Sequence, residues 1–83
     1  MKSAVFRKKV VIYTIQHCPH CEELKDFLRK RGIEFEDIDV EENDEAAEEI
    51  IEKTGQNGFP VIDIDGEIII GFDEEKISEA LEL

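Results

Sequence analysis

The 83-residue chain is poor in cysteine, proline, histidine and basic side chains, with two, two, two and ten of them, and it has no tryptophan. Two cysteines cannot build the disulfide framework on which small secreted domains rely. Two prolines and five glycines, scattered singly, leave no linker, repeat or low-complexity segment. No apolar run approaches the ~20 residues needed to cross a bilayer as a helix. Ten Lys and Arg against 22 acids give a net charge of −12, which opposes general binding to nucleic acid or to an anionic membrane surface. Lys2, Arg7, Lys8 and Lys9 precede Val10-Val11-Ile12-Tyr13-Thr14-Ile15, as in an export signal. That stretch is too short for the apolar region of such a signal, and no small-residue cleavage site follows. A cytoplasmic address is expected, and there a cysteine pair more often serves catalysis or metal binding than a structural staple.

What is present reads as one small domain over residues 1–83, near the lower size at which an apolar core alone holds a fold. Charge is unevenly spread: residues 1–31 carry eight basic and three acidic side chains, residues 32–83 two and nineteen. The run from Val10 to Tyr13 is apolar and β-branched, the pattern of a central strand covered on both faces. From Pro19 the period becomes helical. Proline fits the first helical position, Glu22 and Glu23 suit the positive end of the helix dipole, Arg29, Lys30 and Arg31 the negative end, and Gly32 the stop. Cys21, Leu24, Phe27, Leu28 and Arg31 share a face. Ile33 to Val40 reads as a second, less buried strand with a slip of register at Glu36-Asp37. Asn43 or Asp44 caps a second helix with Ala47, Ile50, Ile51 and Thr54 inward and Gly55 at its end. A helical crossover between these strands predicts parallel, right-handed pairing. Asp65-Gly66 between two β-branched runs specifies a two-residue hairpin. Phe72 ahead of a capping Asp73 predicts a staple onto Ile77, with Ile77, Ala80 and Leu81 as the buried stripe of a last helix.

The chemistry sits in Cys18-Pro19-His20-Cys21, at the junction of the first strand and the first helix. This spacing lets two thiols close a disulfide across one helical turn. It also sets the first sulfur against the orphan N–H groups of the helix, which stabilise a thiolate. Exchange needs one exposed, ionisable thiol and a partner waiting beside it. Cys18 meets the first requirement, and Cys21, shielded by Leu24 and Phe27, the second. His17, Cys18, His20 and Cys21 also offer four zinc-ligating side chains, but structural zinc sites draw on two separated segments and the chain holds no further His or Cys. A metal would therefore need two chains or an external thiol. His20 beside the thiolate is expected to stabilise the reduced form, with a merely solvated imidazole as the alternative. His17 is as well suited to filling a loop as to a role.

Cys-x-x-Cys after the first strand of a strand, helix, strand, helix, hairpin, helix order resembles the thioredoxin fold, an α/β architecture βαβαββα with a four-stranded mixed sheet and three flanking helices. Over nearly its full length the chain is similar to the glutaredoxin family. The matching pieces are Val11-Ile12-Tyr13-Thr14, Cys18-Pro19-His20-Cys21, Lys25, Leu28, Thr54-Gly55, Phe59-Pro60-Val61-Ile62 and Gly71-Phe72-Asp73. It looks like the small members lying between true glutaredoxins and the redoxins that feed ribonucleotide reductase. The resemblance implies a monomeric dithiol–disulfide oxidoreductase that reduces protein disulfides through a mixed disulfide on Cys18, resolved by Cys21. It further implies a redox-active Cys18–Cys21 disulfide in place of a cofactor, with no metal, although cluster-binding relatives make a dimeric metal or iron–sulfur module the alternative. By the same resemblance Pro19, Phe59, Pro60, Gly71, Phe72 and Asp73 face the substrate. A cis Phe59–Pro60 bond is implied, leaving the backbone before the proline free to pair with an extended substrate. Phe59 is expected to form an apolar platform beside Cys18, the alternative being inward packing.

Two departures bear on the electron donor. True glutaredoxins usually have a lysine three residues before the first cysteine, where this chain has Ile15, and Gly-Gly where it has Ile70-Gly71. Loss of a charge-assisted contact worth ~1.5–3 kcal/mol weakens glutathione binding roughly 10- to 100-fold. A thioredoxin-reductase-type flavoprotein is the expected donor, with glutathione as the alternative.

Overall fold

A computed structural model describes residues 8–56 and 58–82, so Lys2 and Arg7 of the N-terminal basic run lie outside the described residues. The elements are β1 (Val10–Thr14), α1 (Pro19–Lys30), β2 (Glu36–Asp39), α2 (Asp44–Thr54), β3 (Val61–Ile64), β4 (Glu67–Ile70) and α3 (Glu74–Leu81). They form one four-stranded sheet in the order β2-β1-β3-β4. β1 pairs parallel with β2 and antiparallel with β3, and β3 pairs antiparallel with β4. This is the mixed βαβαββα sheet expected from the sequence.

Local chemistry fixes the ends of the elements. Pro19 opens α1, Asn43 caps α2 by accepting the Ala46 N–H at 3.0 Å, and Asp73 caps α3 by accepting from Lys76 N–H at 3.2 Å. Each cap satisfies one of the four unpaired N–H groups at a helix start. Asp65 and Gly66 both take positive φ, 53° and 100°, the backbone that a tight hairpin between right-twisted strands requires.

Strand alternation splits the core in two. Val10 and Ile12 of β1, Ile62 and Ile64 of β3 and Ile69 of β4 pack with Leu24, Phe27 and Leu28 of α1 and Ile77, Ala80 and Leu81 of α3. On the opposite face Val11, Tyr13 and Val61 pack with Val40 and with Ala46 and Ile50 of α2. β1 is buried along its whole length, as its unbroken apolar run predicts. Ile33 and Phe35 lie with the α1–α3 cluster, Ile38 and Val40 with the α2 cluster. The expected slip at Glu36-Asp37 is therefore a change of face, and only residues 36–39 form the strand.

One helix face differs from expectation. In α2 the buried residues are Ala46 and Ile50, while Ile51 is 40% exposed. Ala46, Ala47, Ile50, Ile51 and Thr54 allow two overlapping stripes, and packing with Val11 and Tyr13 of β1 selects the one through Ala46.

Candidate active site

Sheet topology gathers the site at one end. Tyr13 pairs with Val61 and Val61 with Ile70, so β1 ends, β3 begins and β4 ends side by side. Pro60 and Gly71 adjoin these strand ends directly, and the Cys18–Cys21 segment follows β1 after residues 15–17. Loop contacts tighten the arrangement: Gly71 N–H donates to Pro60 C=O at 2.7 Å, and Val40 N–H to Thr14 C=O at 3.0 Å.

The two thiols are free and differ sharply in environment. Cys18 is the N-cap residue of α1, half-buried, with extended backbone (φ −118°, ψ 101°). Its Sγ accepts the Cys21 backbone N–H at 3.2 Å. A sulfur here takes the place of the usual Ser or Asp cap oxygen. Cys21 is 1% exposed. Burial pushes its thiol up to about 12 and the contact with Cys18 adds to this, while the Ile15 backbone and the Lys25 charge pull it back.

His20 points outward. Its side chain is 72% exposed, and Nδ1 lies 3.1 Å from Glu23 Oε1, while the hydrogen bond to Cys18 Sγ comes from Cys21 N–H. His17 is exposed in the preceding turn at φ 54°. Pro19 is exposed at the first turn of α1. Among the described residues no three His, Cys, Asp or Glu side chains converge as a metal-binding group.

The Phe59–Pro60 bond is cis. Pro60 is buried and Phe59 half-buried, its ring packed on the α2 cluster. The expected platform beside Cys18 thus gives way to inward packing for part of the ring. Phe72 likewise packs inward: its ring meets Phe27 edge-on at 5.7 Å between centroids and joins the cluster containing Ile77. The Arg31 guanidinium lies 3.8 Å from the Phe27 ring centroid. The Asp73 carboxylate is committed to the cap of α3.

Two features escaped the sequence reading. Gln56 clamps the loop before Phe59, accepting Gly58 N–H at 2.6 Å and donating to Gly58 C=O at 3.1 Å. The second is an ion pair of Lys25 Nζ with Asp37 Oδ2 at 2.8 Å, with the Thr14 hydroxyl donating to Asp37 Oδ1 at 2.8 Å. Only the β1–β2 register brings Thr14 and Asp37 together. Lys25, four residues after Cys21 on a helix, was the available signal.

Residues 10–69 match the glutaredoxin family model. The chain is 37% identical over 73 residues to a glutaredoxin-like 8.6 kDa protein of a rubredoxin operon in Clostridium pasteurianum, covering 88% of this chain and 97% of that protein. It is 35% identical over 65 residues to glutaredoxin 3 of Escherichia coli, covering 78% of each. Among solved structures it superposes on the glutaredoxin-like NrdH-redoxin of Escherichia coli with a TM-score of 0.78 and 31% identity, covering 86% of this chain and 92% of that one. A thioredoxin-type sheet carrying an exposed-side and a buried thiol at the head of α1, together with these matches, makes the chain a member of the glutaredoxin family of thiol–disulfide oxidoreductases.

Proposed function

We propose that this family member reduces protein disulfides by a two-cysteine route in which Cys18 attacks and Cys21 resolves. The observation that carries this reading is the asymmetry of the thiols: Cys18 caps α1 and is partly open to solvent, whereas Cys21 is buried with its thiol pushed up to about 12. The Cys18 thiolate attacks one sulfur of a substrate disulfide, forming a mixed disulfide and releasing the other sulfur as a thiolate. Cys21 then loses its proton and attacks Cys18 Sγ. The substrate leaves as a second thiol and Cys18–Cys21 closes, so two electrons have passed from protein to substrate. The backbone at Phe59, ahead of Pro60, is the proposed edge for an extended substrate segment, with Pro19, Gly71, Phe72 and Asp73 around it. His20 contributes as a nearby cation when protonated rather than through a contact.

The donor proposed to recharge the disulfide is a thioredoxin-reductase-type flavoprotein. Ile15 is half-buried against the α2 cluster, so the position suited to a carboxylate-binding lysine is apolar and partly committed to packing. The Phe72 ring, packed on Phe27, offers no polar anchor either. The thioredoxin-like activity profile of the NrdH-redoxin of Escherichia coli agrees with this preference. The proposal takes the protein as a cytoplasmic monomer that works through its own thiols.

Reduction of the oxidised protein by NADPH with a thioredoxin reductase, run beside reduction by glutathione, tests the reading. Efficient turnover with the reductase and weak turnover with glutathione are expected, and Ile15→Lys raises only the glutathione rate. Saturable, efficient turnover of the unaltered protein at low glutathione concentration would return it to the glutathione-dependent class. A metal bound stoichiometrically by two chains and lost together with the fold on chelation would favour the dimeric metal module.

A further inference from the structure

Lys25 takes no part in the exchange described above, yet three elements converge to hold its charge one helical turn from the resolving thiol. It follows Cys21 by four residues in α1, one turn along the same face. Its side chain is 16% exposed, and its ammonium is fixed by Asp37 at 2.8 Å and Glu22 at 3.2 Å. Asp37, on β2, is anchored in turn by the Thr14 hydroxyl at the end of β1, the strand that leads into the cysteines. Surface lysines are seldom pinned in this way, because holding a long side chain in one geometry forfeits its rotamer entropy.

The geometry points to Lys25 as a positioning residue for the resolving step, its ammonium favouring the Cys21 thiolate and the Asp37 carboxylate limiting how much of that charge the sulfur feels. The inference rests on Cys21 being the resolving thiol. In that step Cys21 gives its proton to solvent and its thiolate attacks Cys18 Sγ. One S–S bond breaks as another forms, and the departing thiolate takes up a proton. A fixed cation lowers the energy of the ion on which the step depends.

Cys18 and Lys25 of α1 and the Ile15 backbone, just after β1, act on the Cys21 sulfur, while Glu22 of α1 and Asp37 of β2 act on Lys25, with the neutral Thr14 hydroxyl of β1 on Asp37. The hydrogen bond to Asp37 raises Lys25 above the ordinary lysine range against the opposing effect of burial. The cation therefore persists wherever exchange is measured.

Stopped-flow reaction of the reduced full-length protein with one equivalent of 5,5′-dithiobis(2-nitrobenzoate) tests this. The first nitrothiobenzoate is released when Cys18 attacks, the second when Cys21 closes the disulfide. The logarithm of the second rate should rise with pH at a slope near one, because Cys21 is mostly protonated throughout. Lys25→Met should lower that whole line by about three- to tenfold. Thiolate population changes tenfold per unit of pKa, partly offset by the greater nucleophilicity of the more basic thiolate. Asp37→Asn should raise the line, and Lys25→Arg should restore it to within about twofold of the unaltered protein. Damage to the fold would slow both the Lys25→Met and Asp37→Asn proteins, so displacement in opposite directions is the signature of charge. Equal rates in all four proteins, or slowing in both neutral variants, would overturn the inference. Failure of the unaltered protein to release a second nitrothiobenzoate would instead overturn the resolving role of Cys21 itself.

Discussion

At the scale of single residues, position relative to one helix end separates two chemically identical thiols. Cys18 exchanges a cap oxygen for sulfur and gains a backbone donor, while Cys21, three residues later, loses its water. The consequence for stability has a definite sign. An unfolded thiol ionises near pH 8.5, whereas folded Cys21 holds its proton up to about 12. The stabilising contribution is complete below the unfolded value and is lost as pH rises toward the folded one. Urea midpoints of the reduced protein should therefore fall more steeply above pH 9 than those of Cys21→Ala. Converted to unfolding free energy, the difference in slope should approach about 1.4 kcal/mol per pH unit, and parallel curves would contradict the burial argument. His20 is exposed and tied to Glu23, so its proposed part is a small one. On that proposal His20→Ala should make the reduction potential more negative, by no more than about 30 mV. Equilibration against a glutathione redox buffer measures the shift, and a potential unchanged by the substitution would leave His20 without a part.

At the scale of elements, turns and caps were the most legible parts of the sequence. Pro19, Asn43, Asp65-Gly66 and Asp73 act through their own backbone or through neighbours within three residues, so each could be read without knowing what packs nearby. The packed face of α2 was not legible, because Ala46 and Ile51 lie on competing stripes and only β1 decides between them. The same holds for the site. Cys18 and Cys21 are neighbours in sequence and declare themselves, whereas the Lys25–Asp37–Thr14 network depends on strand register and the Gln56 clamp on a loop geometry. Gly71 was legible as a matching residue but not as a mechanical one. It takes φ 82° while its N–H holds Pro60 C=O, and a Cβ placed there would touch nothing within 4 Å. Gly71→Ala should therefore cost about 1–2 kcal/mol through backbone conformation alone. Gly71→Asn should cost less, since asparagine tolerates the left-handed region, and thermal unfolding of the two variants distinguishes this from steric crowding.

For the whole molecule, the sheet brings the ends of three strands and the head of α1 to one edge, and the apolar clusters on its two faces hold them there. The proposed chemistry needs little more than that end of the sheet: one reachable sulfur and one concealed sulfur a turn away. Concealment of Cys21 is the property on which the proposed order of attack depends, because a buried thiol pushed up to about 12 is a poor first nucleophile but sits within reach of Cys18 once a mixed disulfide forms there. Mass spectrometry of the trapped intermediate tests this order most directly. With a protein disulfide substrate, Cys21→Ser should accumulate a mixed disulfide located on Cys18, and Cys18→Ser should accumulate none. A substrate adduct on Cys21 in the Cys18→Ser protein would contradict it.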